Sequence, residues 1–232
     1  MRKKAGYLHC FSPEVMLATF LIELLFAVIL FIRSRYKPTF TTLLTIAILV
    51  FLGAFQAIEY LLCIPFGNRL LLAQIGFFSI TLLPPLGIHL AYTLAHRRTH
   101  PHVFVPYMTA FIMNVLFIAS PLTVRDVVCH GNYVIFELPF ILNIVYAFYY
   151  QGFLLFGLMT SFHLSHEVKS EVRAQRLRWL GFGYAVFMLP TAVVVLLKPE
   201  TLHAIPSIMC GFALILACIL FLKVAPPKKK RT

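Results

Sequence analysis

The chain has 232 residues, 60% of them hydrophobic and 12% charged, with a mean hydropathy of +0.88. Soluble domains are roughly 45–50% apolar and about 25% charged, and a water-soluble globule of this size exposes too much surface to hide so many apolar side chains. A soluble enzyme, a disordered chain and a coiled coil are excluded. An all-α polytopic membrane protein is expected, with almost no residues left over for a soluble domain at about 20 per crossing.

Seven apolar segments follow one another along the chain, at about 13–32, 41–62, 69–95, 103–122, 133–160, 177–197 and 204–223. Each is near the length that crosses a hydrocarbon core. Backbone groups cannot go unsatisfied in lipid, so the segments read as helices. Barrel strands would alternate apolar and polar residues, and these do not. The first segment ends in Arg33-Ser34-Arg35 and lacks a small-residue cleavage site, so it is expected to be a span and not a signal peptide. The third and fifth are long enough to tilt or to protrude from the bilayer. The expected organisation is one seven-helix domain over 1–223 and a basic cytoplasmic tail over 224–232. No internal repeat of the kind found in inverted-repeat transporters is visible.

Lys and Arg outnumber Asp and Glu by 20 to 8. No basic stripe with interleaved aromatics lies outside the loops, so nucleic acid is not an expected partner. The excess instead sets orientation. The connections after spans 1, 3 and 5 and the C-terminal end carry 14 Lys and Arg, and the other side carries 6. Cytoplasmic loops concentrate these residues, so the N-terminus is expected outside and the C-terminus inside. Arg2, Lys3 and Lys4 run against this and require translocation of a short basic tail. The end Ala225-Pro226-Pro227-Lys228-Lys229-Lys230-Arg231-Thr232 suits anionic lipid headgroups. Residues 161–176 lack Gly and Pro, and the fifth helix is expected to continue through them into the cytoplasm. There Glu167 and Glu171 would pair with Lys169 and Arg173.

Ionisable and amide side chains at membrane depth are costly, and each is a functional candidate. Glu23 falls near the middle of span 1. Gln56 and Glu59 share a face of span 2. Gln74 lies in span 3, and Glu137 and Asn143 lie in span 5. No Lys or Arg lies inside a span to neutralise the acids. Together the six side chains would line an outward-opening ligand pocket. The plainer alternative is that each bonds its neighbours and fixes helix packing.

Pro84-Pro85 interrupts span 3 near its middle. Proline removes a backbone donor and clashes one turn back, so carbonyls near Ile80 and Thr81 need other partners. Ser79 and Thr81 are near enough to help. Pro139 and Pro190 act similarly in spans 5 and 6. Cys10, Cys63 and Cys129 all map to the outer, oxidising side, where one bridge with one thiol left over is expected. Cys10–Cys63 is the preferred pair, because spans 1 and 2 are consecutive and adjacent. Cys210 and Cys218 read as packing residues.

The histidines His89, His96, His100, His102, His163 and His166 raise the question of a metal. His96 and His100 have i,i+4 spacing, but Pro101 disfavours helix there, and Arg97 and Arg98 repel a cation. No His-Glu-x-x-His, CxxC or catalytic serine motif is present. No metal, no cofactor and no catalytic residue is expected.

Two resemblances carry further expectations. Leu82-Leu83-Pro84-Pro85-Leu86-Gly87-Ile88-His89-Leu90-Ala91-Tyr92 resembles the third-helix region of the seven-helix sensory module of bacterial histidine kinases. That likeness implies a sensor in a bacterial inner membrane, although no output domain follows span 7. Cys10-Phe11-Ser12-Pro13, with Gln56-x-x-Glu59-Tyr60 and Cys63, resembles an uncharacterised bacterial family of small seven-span proteins that begin with Cys-Phe/Trp-Ser. It implies no activity. The expected function is a receptor or sensor that binds a small ligand between helices and acts through a separate cytoplasmic signalling protein. The alternatives are a proton or small-cation transporter using Glu23, Glu59 and Glu137, and a lipid-acting membrane enzyme using His89, His163 and the acids.

Overall fold

A computed structural model describes residues 13–64, 67–97, 102–119, 126–129, 134–197 and 205–225. The described chain is a helical bundle. Its helices are α1 (Pro13–Ser34), α2 (Phe40–Cys63), α3 (Arg69–Thr81), α4 (Leu83–Ala95), α5 (Phe104–Ala119), α6 (Phe140–Glu167), α7 (Glu171–Leu197) and α8 (Ile205–Ile219). The last turn widens to a π turn over Leu220–Val224. Between α5 and α6, strands β1 (Asp126–Cys129) and β2 (Val134–Glu137) form an antiparallel hairpin with Cys129 opposite Val134.

Local chemistry sets the helix ends. Thr39 caps α2 by accepting from the Thr42 N–H, and Asn68 caps α3 by accepting from the N–H groups of Leu70 and Leu71. The Arg69 guanidinium donates to the Leu62 carbonyl at 2.9 Å and so satisfies the end of α2. His96 ends α4 in the left-handed region, with φ 54°.

Consecutive helices α1 and α2 pack together, α6 packs on α7 and α4, and α8 packs on α7. The centre is aromatic. Phe77 of α3 stacks on Phe117 of α5 at 4.3 Å and meets Phe136 of β2 and Tyr146 of α6 edge-on. Outward faces are apolar as well: Leu21, Phe31 and Ile32 of α1, Phe111 and Ile118 of α5, and Phe148 of α6 are exposed. A belt of that extent is foreign to a soluble monomer. Five helices are long and apolar enough to cross a membrane: Glu14–Ser34, Phe40–Cys63, Arg69–Ala95 taken across its break, Phe140–Glu167 and Glu171–Val194. Phe104–Ala119 and Gly211–Val224 are shorter apolar helices.

Three expectations are corrected. The Cys10–Cys63 bridge does not form, because Cys63 is bonded to Cys129. The hairpin returns Cys129 to the end of α2, with the two Cα atoms 5.3 Å apart, inside the range a disulfide spans; Cys10 lies outside the described residues. Span 5 does not begin at 133. Residues 134–137 are strand, and the helix starts at Phe140 with Pro139 as its N-cap. The helical extension over 161–176 stops at Glu167, and a new helix starts at Glu171. The acids there pair differently from expectation: Glu167 meets Arg97 and His163, and Glu171 meets Arg178.

Candidate functional site

The six candidate polar residues occupy three places. Glu23 is fully buried on α1. It faces Gly53 of α2, where an added Cβ would sit 3.5 Å from the Glu23 Oε2. Gly53 lies one turn before Gln56 on α2, and the 3.5 Å separation is ordinary van der Waals contact. Gln56 and Glu59 are also buried. Among the described residues, neither oxygen of Glu23 has a hydrogen-bond partner. Gln74 is elsewhere, donating from Nε2 to the Phe117 carbonyl at 3.0 Å and tying α3 to the end of α5. Glu137 is exposed on β2, and Asn143 is half-buried in the first turn of α6. The structure therefore buries Glu23, Gln56 and Glu59 within α1 and α2, with Glu23 on the face that meets α2, and leaves the other three outside that group.

The helix break is itself a polar centre. Pro84 and Pro85 stand at the start of α4, and the helix is interrupted at Leu82. The Leu82 N–H donates to the Ile80 carbonyl. The Thr81 carbonyl accepts from the Tyr149 hydroxyl at 2.5 Å, and the Thr81 hydroxyl meets that of Tyr146 at 3.1 Å. Both tyrosines come from α6. Ser79 bonds back to the Ile75 carbonyl and takes no part in satisfying the break.

One turn beyond the prolines, the Tyr184 side chain of α7 passes over two glycines. A Cβ at Gly87 would lie 1.9 Å from the Tyr184 hydroxyl, and one at Gly157 would lie 2.8 Å from it. Only glycine permits so close an approach. Tyr184 also lines a small cavity of about 20 Å³ among Leu52, Leu83, Leu154 and Leu216. That is room for a water and not for a ligand, since ligand pockets run to about 300–1,000 Å³.

A larger space lies at the end of the bundle opposite the hairpin. A cleft of about 430 Å³ opens between the C-terminal end of α1, the first turns of α7 and the π turn. Arg33, Arg176 and Lys223 line it together with Gln175, Trp179 and Phe221. Arg33 lies over the Phe221 ring at 5.2 Å, and Lys223 over the Trp179 ring at 5.3 Å. Phe221 in turn stacks on Phe26 of α1 at 4.4 Å. None of these residues was a candidate from sequence. The available signal was three basic residues at the ends of apolar segments, and the only tryptophan of the chain at the start of another.

The histidines are held singly. His89 Nδ1 lies 3.3 Å from the Tyr107 hydroxyl, and its ring meets Phe40 edge-on. His102 stacks on Tyr92. His96 ends α4, so the helical premise for pairing it with His100 fails; His100 itself, with Arg98, Pro101 and the tail beyond Ala225, lies outside the described residues. Among the described residues, no three His, Cys, Asp or Glu side chains gather where they could hold a metal.

No family profile matches the chain, and neither does any curated protein.

Proposed function

We propose that this is a seven-span membrane receptor of the sensor type, with its N-terminus outside and its C-terminus in the cytoplasm. It takes a small ligand between helices at the cytoplasmic end and acts through a separate cytoplasmic protein. The observation that carries this is the 430 Å³ cleft between α1, α7 and the π turn, the right size for a small ligand. The two shorter apolar helices supplement the five long ones to make seven crossings. Orientation is supported from two directions: the basic residues favour the cleft end as the inside, and the Cys63–Cys129 disulfide suits an oxidising exterior at the other end. Trp179, the sole tryptophan, reports on the cleft directly. Titrating the purified protein with neutral, cationic and anionic solutes should give a saturable change in its emission with one class. Reporter fusions at the two ends test the orientation, and a C-terminus outside the cytoplasm overturns it.

A second reading is favoured by one observation. The Glu23 carboxyl is fully buried with no hydrogen-bond partner among the described residues, and an intramembrane acid of that kind is a candidate proton or cation carrier. Dissipation of a pH gradient in proteoliposomes, lost in Glu23→Gln, would establish it; identical flux with and without protein would exclude it.

A further inference from the structure

We infer that the cleft between α1, α7 and the π turn binds a phosphate-bearing group, an inference that rests on this cleft being the ligand site. Three cationic side chains from three separate elements converge there, Arg33, Arg176 and Lys223, and among the described residues no Asp or Glu lines the space. The acids nearest in the chain are already engaged, Glu167 by Arg97 and His163, and Glu171 by Arg178. Among the described residues, none of the three cleft cations makes an ion pair. Two of them lie over the faces of Phe221 and Trp179. Those contacts fix the cations in place without neutralising them.

Gathering like charges in one recess is unfavourable unless an anion joins them. The donors present fit a phosphate. Two guanidinium groups offer planar forks that match pairs of phosphate oxygens, and the ammonium adds a compact charge. Gln175 contributes an amide on the same wall. Beside the charged floor, Val172 and Leu222 are 60% and 66% exposed and apolar, so a hydrocarbon chain could lie along the rim. The shared chemistry is a phosphate ester. It could be the headgroup of an anionic phospholipid from the surrounding leaflet, or a free phosphorylated solute.

The test uses the full chain and its single tryptophan. In one arm, detergent-solubilised protein is titrated with inorganic phosphate and glycerol phosphate. In the other, protein in phosphatidylcholine vesicles is compared with protein in vesicles that also contain phosphatidylglycerol. Succinate, glucose and choline are the controls. A saturable change in Trp179 emission is expected in at least one arm. A response confined to the soluble arm identifies a free phosphorylated ligand, and one confined to the vesicle arm identifies a headgroup. Arg33→Gln/Arg176→Gln should weaken the response about ten-fold or more, since it removes two charge-assisted donors. Arg178→Gln, whose side chain faces Glu171 and does not line the cleft, should leave it unchanged. If the double variant does not fold, Lys223→Gln on an exposed side chain carries the comparison. Equal responses to succinate and phosphate, or equal responses of wild type and cleft variants, overturn the inference. A response to glucose or choline with none to phosphate or phosphatidylglycerol overturns the phosphate assignment and leaves the cleft a ligand site. No response to any solute or lipid overturns both.

Discussion

The hydroxyl of Tyr149 donates to the main-chain carbonyl of Thr81 at 2.5 Å, across 68 residues of sequence. It supplies the hydrogen bond that the break before Pro84-Pro85 takes from α3. Tyr149→Phe should therefore leave a buried carbonyl unpaired and destabilise the fold by about 1–2 kcal/mol, between the general cost of an orphaned group and the smaller values found for membrane hydrogen bonds. Tyr146→Phe should cost less, about 0.5 kcal/mol. Its partner, the Thr81 hydroxyl, can turn back to a carbonyl of its own helix. Unfolding of the two variants in mixed micelles gives the order, and equal losses would contradict it.

The position of this break was readable from two adjacent prolines, because their effect is local. The donors that repair it were not, because nothing in residues 79–85 refers to a tyrosine on α6. The same division runs through the rest of the chain. Helices show themselves by apolar runs long enough to cross a bilayer. The hairpin does not, because Val134, Ile135 and Phe136 merge with the apolar run of α6, even though Gly131-Asn132 between two β-branched stretches is a hairpin signal. Missing the hairpin also misdirected the disulfide, since only the return of β1 toward α2 brings Cys129 to Cys63. The acids Glu23 and Glu59 and the amide Gln56 stand out in the sequence because a polar side chain in an apolar helix is conspicuous, and all three are buried. The basic cleft was overlooked because Lys and Arg at helix ends are commonplace and only packing shows that three of them converge.

The disulfide yields a prediction of its own. It closes a separation of 66 residues, for which chain-entropy arguments give about 4 kcal/mol of stabilisation. Cys63→Ala, Cys129→Ala and the double variant should lose the same amount, because each breaks the same bond. Wild type under reducing conditions should match them. Mass spectrometry of protein alkylated without reduction should find both residues protected. Alkylation of Cys129 with Cys63 still protected would restore the rejected Cys10 pairing.

Glu23 makes a different demand. It is wholly buried against Gly53, and a charge at such a depth costs about 2.5–3.5 kcal/mol on insertion scales. Glu23→Gln keeps the shape and removes the ability to ionise, so stability should be unchanged to within about 0.5 kcal/mol. Glu23→Lys brings a charge on a longer side chain into the same space and should abolish folding or cost several kcal/mol. A substantial loss in Glu23→Gln would mean that the carboxylate is held by a cation or another partner.

The approach of Tyr184 to Gly87 supplies the last prediction. At Gly87 an added Cβ would come within 1.9 Å of the Tyr184 hydroxyl and 2.9 Å of its ring carbon Cζ. Gly87→Ala gains intrinsic helix propensity of about 0.8–1 kcal/mol. It should nonetheless destabilise, because overpacking costs about 1–3 kcal/mol and the opposing wall at Gly157 gives the ring no room to retreat. The Tyr184 hydroxyl is buried and has no hydrogen-bond partner among the described residues, so Tyr184→Phe gives up no hydrogen bond seen there. That single change should be neutral or stabilising. Removing the hydroxyl also removes the nearer of the two clashing atoms, so Tyr184→Phe should recover part of what Gly87→Ala loses. The two residues would then show a coupling energy above about 0.5 kcal/mol in a double-mutant cycle. Strict additivity would mean that the ring is not wedged between α4 and α6. A loss of about 1–3 kcal/mol in Tyr184→Phe alone would mean that a bound water or another group satisfies the hydroxyl in the cavity beside it.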